Sequence, residues 1–338
     1  MDTRLEQYKN ILIVRLSSIG DVLMTNPVIK ILRKRYPDAY LAYLVEDKSK
    51  DMVTGNSYLD ETILFDKGKF KNLRKDTGII SALKSLSPLV NKLRERNFDL
   101  VIDLHGVFRS GLLSYLTGAK KRIGIDKQLI SLLYTDKMKE NLEIHAVDEY
   151  LNLLKLIEVA PDQYEKEFMI ASSKKDEDYI KQLIQKHGIK NDELLIAFNP
   201  ATSREDKEWS EDKFAQVGDW INDNLQARVL VLGGPADENK VKRIINKMET
   251  KAINLAGKTT LKELSCLLKK IDLLITGDTG PMHMGMAVGT PLIALFGPTR
   301  PVRYGPYQGQ NLVIKSPGDD IDKIEVEIVI DNINNLIS

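Results

Sequence analysis

The sequence predicts an α/β protein of two domains, each built on a parallel sheet, and three observations point there. Short apolar runs of four to seven residues recur along the chain and alternate with longer amphipathic stretches. That alternation occurs twice, over residues 10–125 and again over 194–315. The length, 338 residues, suits two domains of ~150 residues each, and either half is long enough to bury its own core.

The runs, in order, are ILIVRL (11–16), LAYLV (41–45), TILF (62–65), DLVIDL (99–104), LLIAFN (194–199), RVLVLG (228–233), DLLITG (272–277) and PLIALFG (291–297). Continuous apolar runs of this length fit strands covered on both faces, as in parallel sheets. Helical patterns lie between them, over 80–96, 174–187, 210–225, 237–248 and 261–270. Repeated βα units of this kind build doubly wound sheets. A polar helical stretch separates the two sets and puts a boundary near 160–190, so the domains are drawn as 1–165 and 166–338. A last helix, 324–337, follows the Pro317-Gly318 breaker and is able to pack back on the first domain.

Apolar residues make up 43% and charged residues 29%, an ordinary globular mix. The net charge of +1 gives no global field toward nucleic acid, which is not expected as a partner. Cys266 is the single cysteine, so no intrachain disulfide can form, and the four histidines lack zinc-site spacing. No stretch reaches the ~20 apolar residues of a membrane span. The first apolar run is too short for a signal peptide and is interrupted by Arg15, so the expected location is the cytoplasm.

Ligands of open parallel sheets bind beyond the carboxyl ends of the strands, and four such places stand out. Ser17-Ser18-Ile19-Gly20-Asp21 suits a tight strand-to-helix turn. There Asp21 serves either as a helix-start carboxylate or as a base facing ligand. Pro27 predicts that the following helix breaks or restarts. The turn has one glycine where a dinucleotide turn needs three. In the second place, Asp103–Ser110, His105 and Arg109 either face ligand or belong to a polar turn relieved by Gly106. In the third, Asn199–Trp209, the Thr202 and Ser203 hydroxyls and Lys207 suit a phosphate cradle; the alternative is a solvated loop of alternating charge. In the fourth, Gly277–Gly285, Asp278 ends a strand, and Thr279 and Gly280 open a helix whose N–H groups can meet an anion. His283 is either a ligand contact or a buried, hydrogen-bonded histidine.

Together these segments resemble glycosyltransferase family 9, the ADP-heptose:lipopolysaccharide heptosyltransferases. The similarity is carried by ILIVRLSSIGDVLMTNPVIKILRKRYP, FDLVIDLHGVFRSGLLSYLTGAKKRIG, FNPATSREDKEWS, VLGGPADE and TGDTGPMHMGMAVGTPLIALFGPT, in the family's order over nearly the whole chain. The resemblance implies a GT-B architecture, two Rossmann-like domains facing a central cleft, the first binding acceptor and the second the nucleotide-sugar donor. It implies an inverting transfer of heptose to a lipopolysaccharide inner-core acceptor, with Asp21 as general base and Lys207 steadying the departing ADP. Asp278, Thr279, Gly280 and His283 would bind donor sugar and phosphates, and Thr202 and Ser203 the phosphates. Gly257 and Thr259 would lie near ribose and adenine, with Glu238 toward the ribose hydroxyls. Ser18, Gly20, His105 and Arg109 are the acceptor-side candidates. Asn199-Pro200-Ala201 and Pro281-Met282 depart from the common family pattern and bear on substrate identity more than on reaction type.

No cofactor and no catalytic metal are expected, because the D-x-D at Asp176-Glu177-Asp178 does not follow an apolar run. Three basic clusters of the first half are candidates for anionic headgroups or acceptor phosphates at the inner membrane: Lys30 to Arg35, Lys67 to Lys75, and Lys120 to Arg122. A dehydrogenase is the enzyme rival and lacks its glycine fingerprint here. A nucleotide-sugar epimerase shares the architecture. A two-lobed solute-binding protein would need a secretory signal.

Overall fold

The computed structural model describes residues 8–337, apart from 79, 80, 82, 83 and 191. The chain divides into two compact units, Met1–Met169 and Ile170–Ser338. Among the described residues the first unit carries six strands: β1 (Asn10–Val14), β2 (Tyr40–Glu46), β3 (Glu61–Phe65), β4 (Leu100–Asp103), β5 (Lys121–Asp126) and β6 (Asp136–Lys139). Their order is β3-β2-β1-β4-β5-β6 and every pair is parallel. The second unit carries β7 (Leu195–Asn199), β8 (Arg228–Val231), β9 (Ala252–Asn254), β10 (Leu273–Gly277), β11 (Leu292–Phe296) and β12 (Asn311–Lys315). Their order is β12-β11-β10-β7-β8-β9, again all parallel.

The two windings are the same. In each unit the first and fourth strands lie side by side, and the chain winds outward from them in opposite directions. That makes β1/β4 and β7/β10 the topological switch points, where connections on both sides turn away and leave a crevice for ligand. The loops after these four strands are the four segments singled out in the sequence.

Burial explains which strands the apolar runs reveal. β4, β7, β10 and β11 are buried at every residue, and β1 and β2 at all but the first. Three of the four edge strands, β6, β9 and β12, are only partly buried and mix polar residues in, while the fourth, β3, buries Ile63 and Phe65. Leu12, Val14, Leu44 and Val101 meet helical side chains such as Leu93 and Leu113 in the first core. Ile196, Phe198, Ile275 and Leu295 meet Phe214 and Val217 in the second.

The first helical segment breaks as Pro27 requires: a short helix, Ile19–Leu23, gives way to a second, Asn26–Arg35, with the proline in its first turn. The helix expected over 80–96 is present as Ser87–Glu95; its expected start lies outside the described residues. The C-terminal helix, Val326–Ile337, buries Val326, Val329 and Ile333 in the core of the second unit, where it packs on the helix Glu211–Leu225.

Candidate active site

In the first unit the chain leaves β1 at Arg15, whose side chain turns back across the switch point. Its guanidinium donates to the Leu104 carbonyl at 2.7 Å and to the Ser17 carbonyl at 3.0 Å. It also pairs with Asp21 Oδ1 at 2.7 Å, with side-chain exposures of 8% and 23%. The other carboxylate oxygen, Oδ2, accepts from the Ser18 hydroxyl at 2.8 Å and the Ser18 N–H at 3.2 Å. Asp21 therefore does cap its helix, reaching back from the third helical position to the capping residue. Both of its oxygens are engaged, and the group is still partly open to solvent. Ser18 is exposed and Gly20 buried beside it.

The loop after β4 is fixed by Asp103, a fully buried carboxylate. Asp103 Oδ1 accepts the N–H groups of His105 at 2.8 Å and Gly106 at 3.2 Å, and Oδ2 accepts the Tyr134 hydroxyl at 2.7 Å. Burial pushes its carboxyl above the usual range, against these hydrogen bonds. A Cβ on Gly124 would lie 2.5 Å from the Tyr134 ring, so glycine in β5 is what lets Tyr134 cross to Asp103. His105 Nδ1 accepts the Leu16 N–H at 3.3 Å. Burial and then the Arg15 cation push its imidazole down to about 3. The ring is thus neutral, with its proton on Nε2, and a poor base. Arg109 pairs with Glu46 Oε1 at 3.0 Å, and Lys67 with Oε2 of the same residue, also at 3.0 Å. Two cations on one buried carboxylate leave a positive excess at this edge.

In the second unit Lys207, from the loop after β7, pairs with Asp278, which follows β10, at 2.7 Å. Their side chains are only 14% and 10% exposed. A Cβ on Gly277 would sit 3.1 Å from the Lys207 carbonyl and 3.2 Å from Thr202 Cγ2, so glycine lets the two loops close on each other. Asn199 ties them further, donating to Thr276 Oγ1 at 3.3 Å and Thr279 Oγ1 at 3.2 Å. Thr279 precedes the helix Gly280–Val288 with no side-chain cap on its N-terminal N–H groups. The N–H groups of a helix terminus can meet an anion, and here they follow directly on Asp278, the partner of Lys207.

Other expected donor contacts take varied positions. The Thr202 hydroxyl donates to the Arg204 carbonyl at 2.6 Å, and Ser203 is exposed. Gly257, at φ +67°, donates its N–H to the Gly233 carbonyl at 2.9 Å, which joins the GGPADE turn to the 256–259 turn that holds Thr259. Glu238 begins the helix Glu238–Lys247 and pairs with Lys242 one turn along at 2.9 Å. His283 is buried, at 4% exposure, in the second turn of its helix.

Sequence reasoning missed Arg15, Glu46, Glu208 and Lys240. Glu208 accepts the Thr202 N–H at 3.1 Å and pairs with Lys240, which braces the loop after β7 against the helix Glu238–Lys247. The signal for Arg15 was present: an arginine closing a buried apolar strand needs a partner. The paired Glu208 and Lys240 left no such mark.

The basic clusters divide. Lys30 is buried on Glu165 and Glu167, and Arg33 pairs with Asp60, so these two are internal braces and not free for a headgroup. Lys121 pairs with Asp136, and Arg122 donates to the Leu133 carbonyl. Lys69, Lys71 and Lys75 are exposed on one helix, Lys67–Thr77; the Arg74 side chain lies outside the described residues. Among the described residues no helix is long and apolar enough to cross a membrane, and no three metal-ligating side chains cluster.

Two parallel sheets of Rossmann winding, each with charged side chains at its switch point, place the protein in the class of doubly wound α/β proteins that bind ligand beyond their strand ends. The model of glycosyltransferase family 9 (heptosyltransferase) matches residues 87–327. Lipopolysaccharide heptosyltransferase 3 of Escherichia coli K12 is 30% identical over 300 residues, 85% of this chain and 82% of its own. The crystal structure of a family 9 glycosyl transferase from Veillonella parvula is 28% identical, with a TM-score of 0.87 over 98% of this chain and 97% of its own. E. coli heptosyltransferase WaaC, solved with ADP-2-deoxy-2-fluoro heptose, shares the fold at 22% identity, with a TM-score of 0.77 over 96% and 99%. The chain belongs to glycosyltransferase family 9 and has the two Rossmann-like domains of the GT-B architecture.

Proposed function

We propose that this glycosyltransferase moves a heptose from ADP-heptose to the inner core of lipopolysaccharide by a single inverting displacement. The observation that carries the reading is the division of equipment between the two switch points. One holds a partly exposed carboxylate, Asp21; the other holds Lys207 beside an uncapped helix N-terminus. An acceptor hydroxyl gives its proton to Asp21 as its oxygen attacks the anomeric carbon, and the bond from that carbon to the β-phosphate oxygen breaks. Negative charge grows on the departing ADP, where Lys207 and the helix N–H groups meet it. Asp278 holds Lys207 in place and is close enough to that ammonium to contact the sugar beside the phosphates. The Gly233–Gly257 contact is offered as the seat of ribose and adenine.

No metal is proposed, because Lys207 and the helix terminus supply the positive charge. The D-x-D at 176–178 serves a helix instead: Asp176 accepts from the N–H and hydroxyl of the capping residue Ser173, both at 2.7 Å, and Asp178 lies 3.4 Å from Lys174. The one at 320–322 meets main-chain N–H groups, Asp320 accepting from Asp322 at 3.2 Å and Asp322 from Ser210 at 2.9 Å. The enzyme is proposed to work in the cytoplasm at the inner membrane surface. The exposed lysines of the helix Lys67–Thr77 support contact with anionic headgroups there. A related donor or acceptor is the second reading, supported by the departures at Asn199-Pro200-Ala201 and Pro281-Met282. Incubating the protein with ADP-, GDP- and UDP-sugars and lipid A–Kdo acceptors, with mass-spectrometric detection of product, tests the proposal. Transfer from ADP-heptose alone is expected; transfer only from another nucleotide-sugar, or release of free sugar without acceptor, contradicts it.

A further inference from the structure

We propose that Arg15 is a positioning residue for the transfer: its guanidinium, pinned by two main-chain carbonyls, holds the Asp21 carboxylate in one place at the first switch point. The inference rests on the reading of Asp21 as the base. Its geometry stands independently of that reading.

Three features separate Arg15 from an ordinary ion-pair partner. It is buried, although it is a charged residue directly following a strand whose residues past the first are all apolar. Its guanidinium spends bonds on Leu104 O and Ser17 O, so it is fixed to both loops of the switch point before it reaches Asp21. It also lies over the Tyr150 ring, 5.4 Å from the centroid, which closes its remaining face. A planar fork anchored in this way cannot follow a wandering carboxylate; the carboxylate must come to it. Asp21 Oδ1 goes to Arg15 and Oδ2 to Ser18, which leaves the carboxylate a single orientation. A reacting group misplaced by about 1 Å costs up to ~10²-fold in rate.

The same cation divides charge between the two groups that could take a proton. It favours the ionised form of Asp21 and disfavours a proton on His105. The other titratable and charged groups acting on this cluster are Tyr43 from β2, Tyr150 from the helix Ala146–Leu153, and Arg109 and Lys127 on the His105 side.

The test uses Arg15→Gln and Arg15→Lys in the full-length enzyme, with Asp21→Asn alongside. Carboxyl-labelled aspartate NMR follows the Asp21 titration, and transfer kinetics follow kcat and KM. Arg15→Gln is expected to move the Asp21 midpoint up, since it removes the neighbouring cation, and the acid limb of kcat with it. It should lower kcat by up to ~10²-fold, with donor KM unchanged. Arg15→Lys keeps the charge and should recover most of the midpoint and part of the rate. An unmoved Asp21 midpoint in a folded Arg15→Gln protein overturns the proposal, as does a kcat equal to wild type with an unmoved acid limb. If the midpoint moves while Asp21→Asn keeps full activity, Arg15 still holds Asp21 and it is the assignment of Asp21 as base that fails.

Discussion

Lys207 and Asp278 meet at 2.7 Å across the second switch point, each contributed by a different strand-end loop. The pair fixes the ammonium where β7 and β10 part, beside the N-terminus of the helix Gly280–Val288. Removing the cation takes away charge that matters most as the bond to ADP breaks. Lys207→Ala is expected to lower kcat by ~10²–10³-fold, the usual range for losing one such group. Asp278, 10% exposed, is then left without its counter-charge, so lower stability is expected and kcat is to be measured on protein shown to be folded. Steady-state kinetics with circular dichroism checks this; unchanged kcat and donor KM would return Lys207 to the role of a loop brace.

His105 gives a stability prediction with a definite sign. Its folded-state proton affinity lies below the ordinary histidine value, down at about 3. Between about 3 and 6.5 the unfolded chain therefore binds the extra proton, and stability falls as pH falls through that window. His105→Gln should flatten this part of the profile. Chemical unfolding of both proteins from pH 7 to pH 4 measures it, and identical slopes would contradict the neutral, buried imidazole. The same property means that His105 should give no limb to the kcat profile between pH 5 and 8.

The exposed lysines of the helix Lys67–Thr77 should set attachment to anionic membranes. Reversing Lys69, Lys71 and Lys75 to glutamate is expected to weaken binding to phosphatidylglycerol vesicles, at about 1 kcal/mol per residue in low salt. The same reversal of Lys120 and Lys121 should do less, because Lys121 is held by Asp136. Vesicle co-sedimentation decides it, and equal effects from the two sets would count against the helix.

Activity should survive EDTA. Complete loss on chelation, restored by Mg²⁺, would show that Lys207 and the helix terminus do not carry the leaving-group charge alone.

Much of the fold was legible because buried strands must be apolar throughout: all eight runs fall on strands. β6 (DKMK), β9 (AIN) and β12 (NLVIK) were not, because these edge strands are short or mix polar residues in; β3, also at an edge, keeps the apolar TILF with Ile63 and Phe65 buried. β5 was missed for a different reason: it opens with Lys121-Arg122 and holds Gly124 to admit the Tyr134 ring. At the site, single residues after strands could be read, but their partners could not. Glu46 lies far from Arg109 in sequence, and Arg15 looked like an interruption and not an anchor. Glu208 with Lys240 depends on a helix meeting a loop, a contact no local pattern encodes. The basic clusters misled in part, since a run of cations does not reveal that Lys30 is buried on two glutamates.

The central claim is that Asp21 takes the acceptor's proton, and kcat for Asp21→Asn tests it most directly. Asparagine keeps the shape and can still cap the helix, but it cannot accept the proton. It also leaves Arg15 without its counter-charge, so a lower melting temperature is expected and activity must be measured on protein shown to be folded. The account predicts a fall in kcat of ~10²–10⁴-fold with donor affinity retained. A folded Asp21→Asn enzyme turning over at the wild-type rate would contradict it.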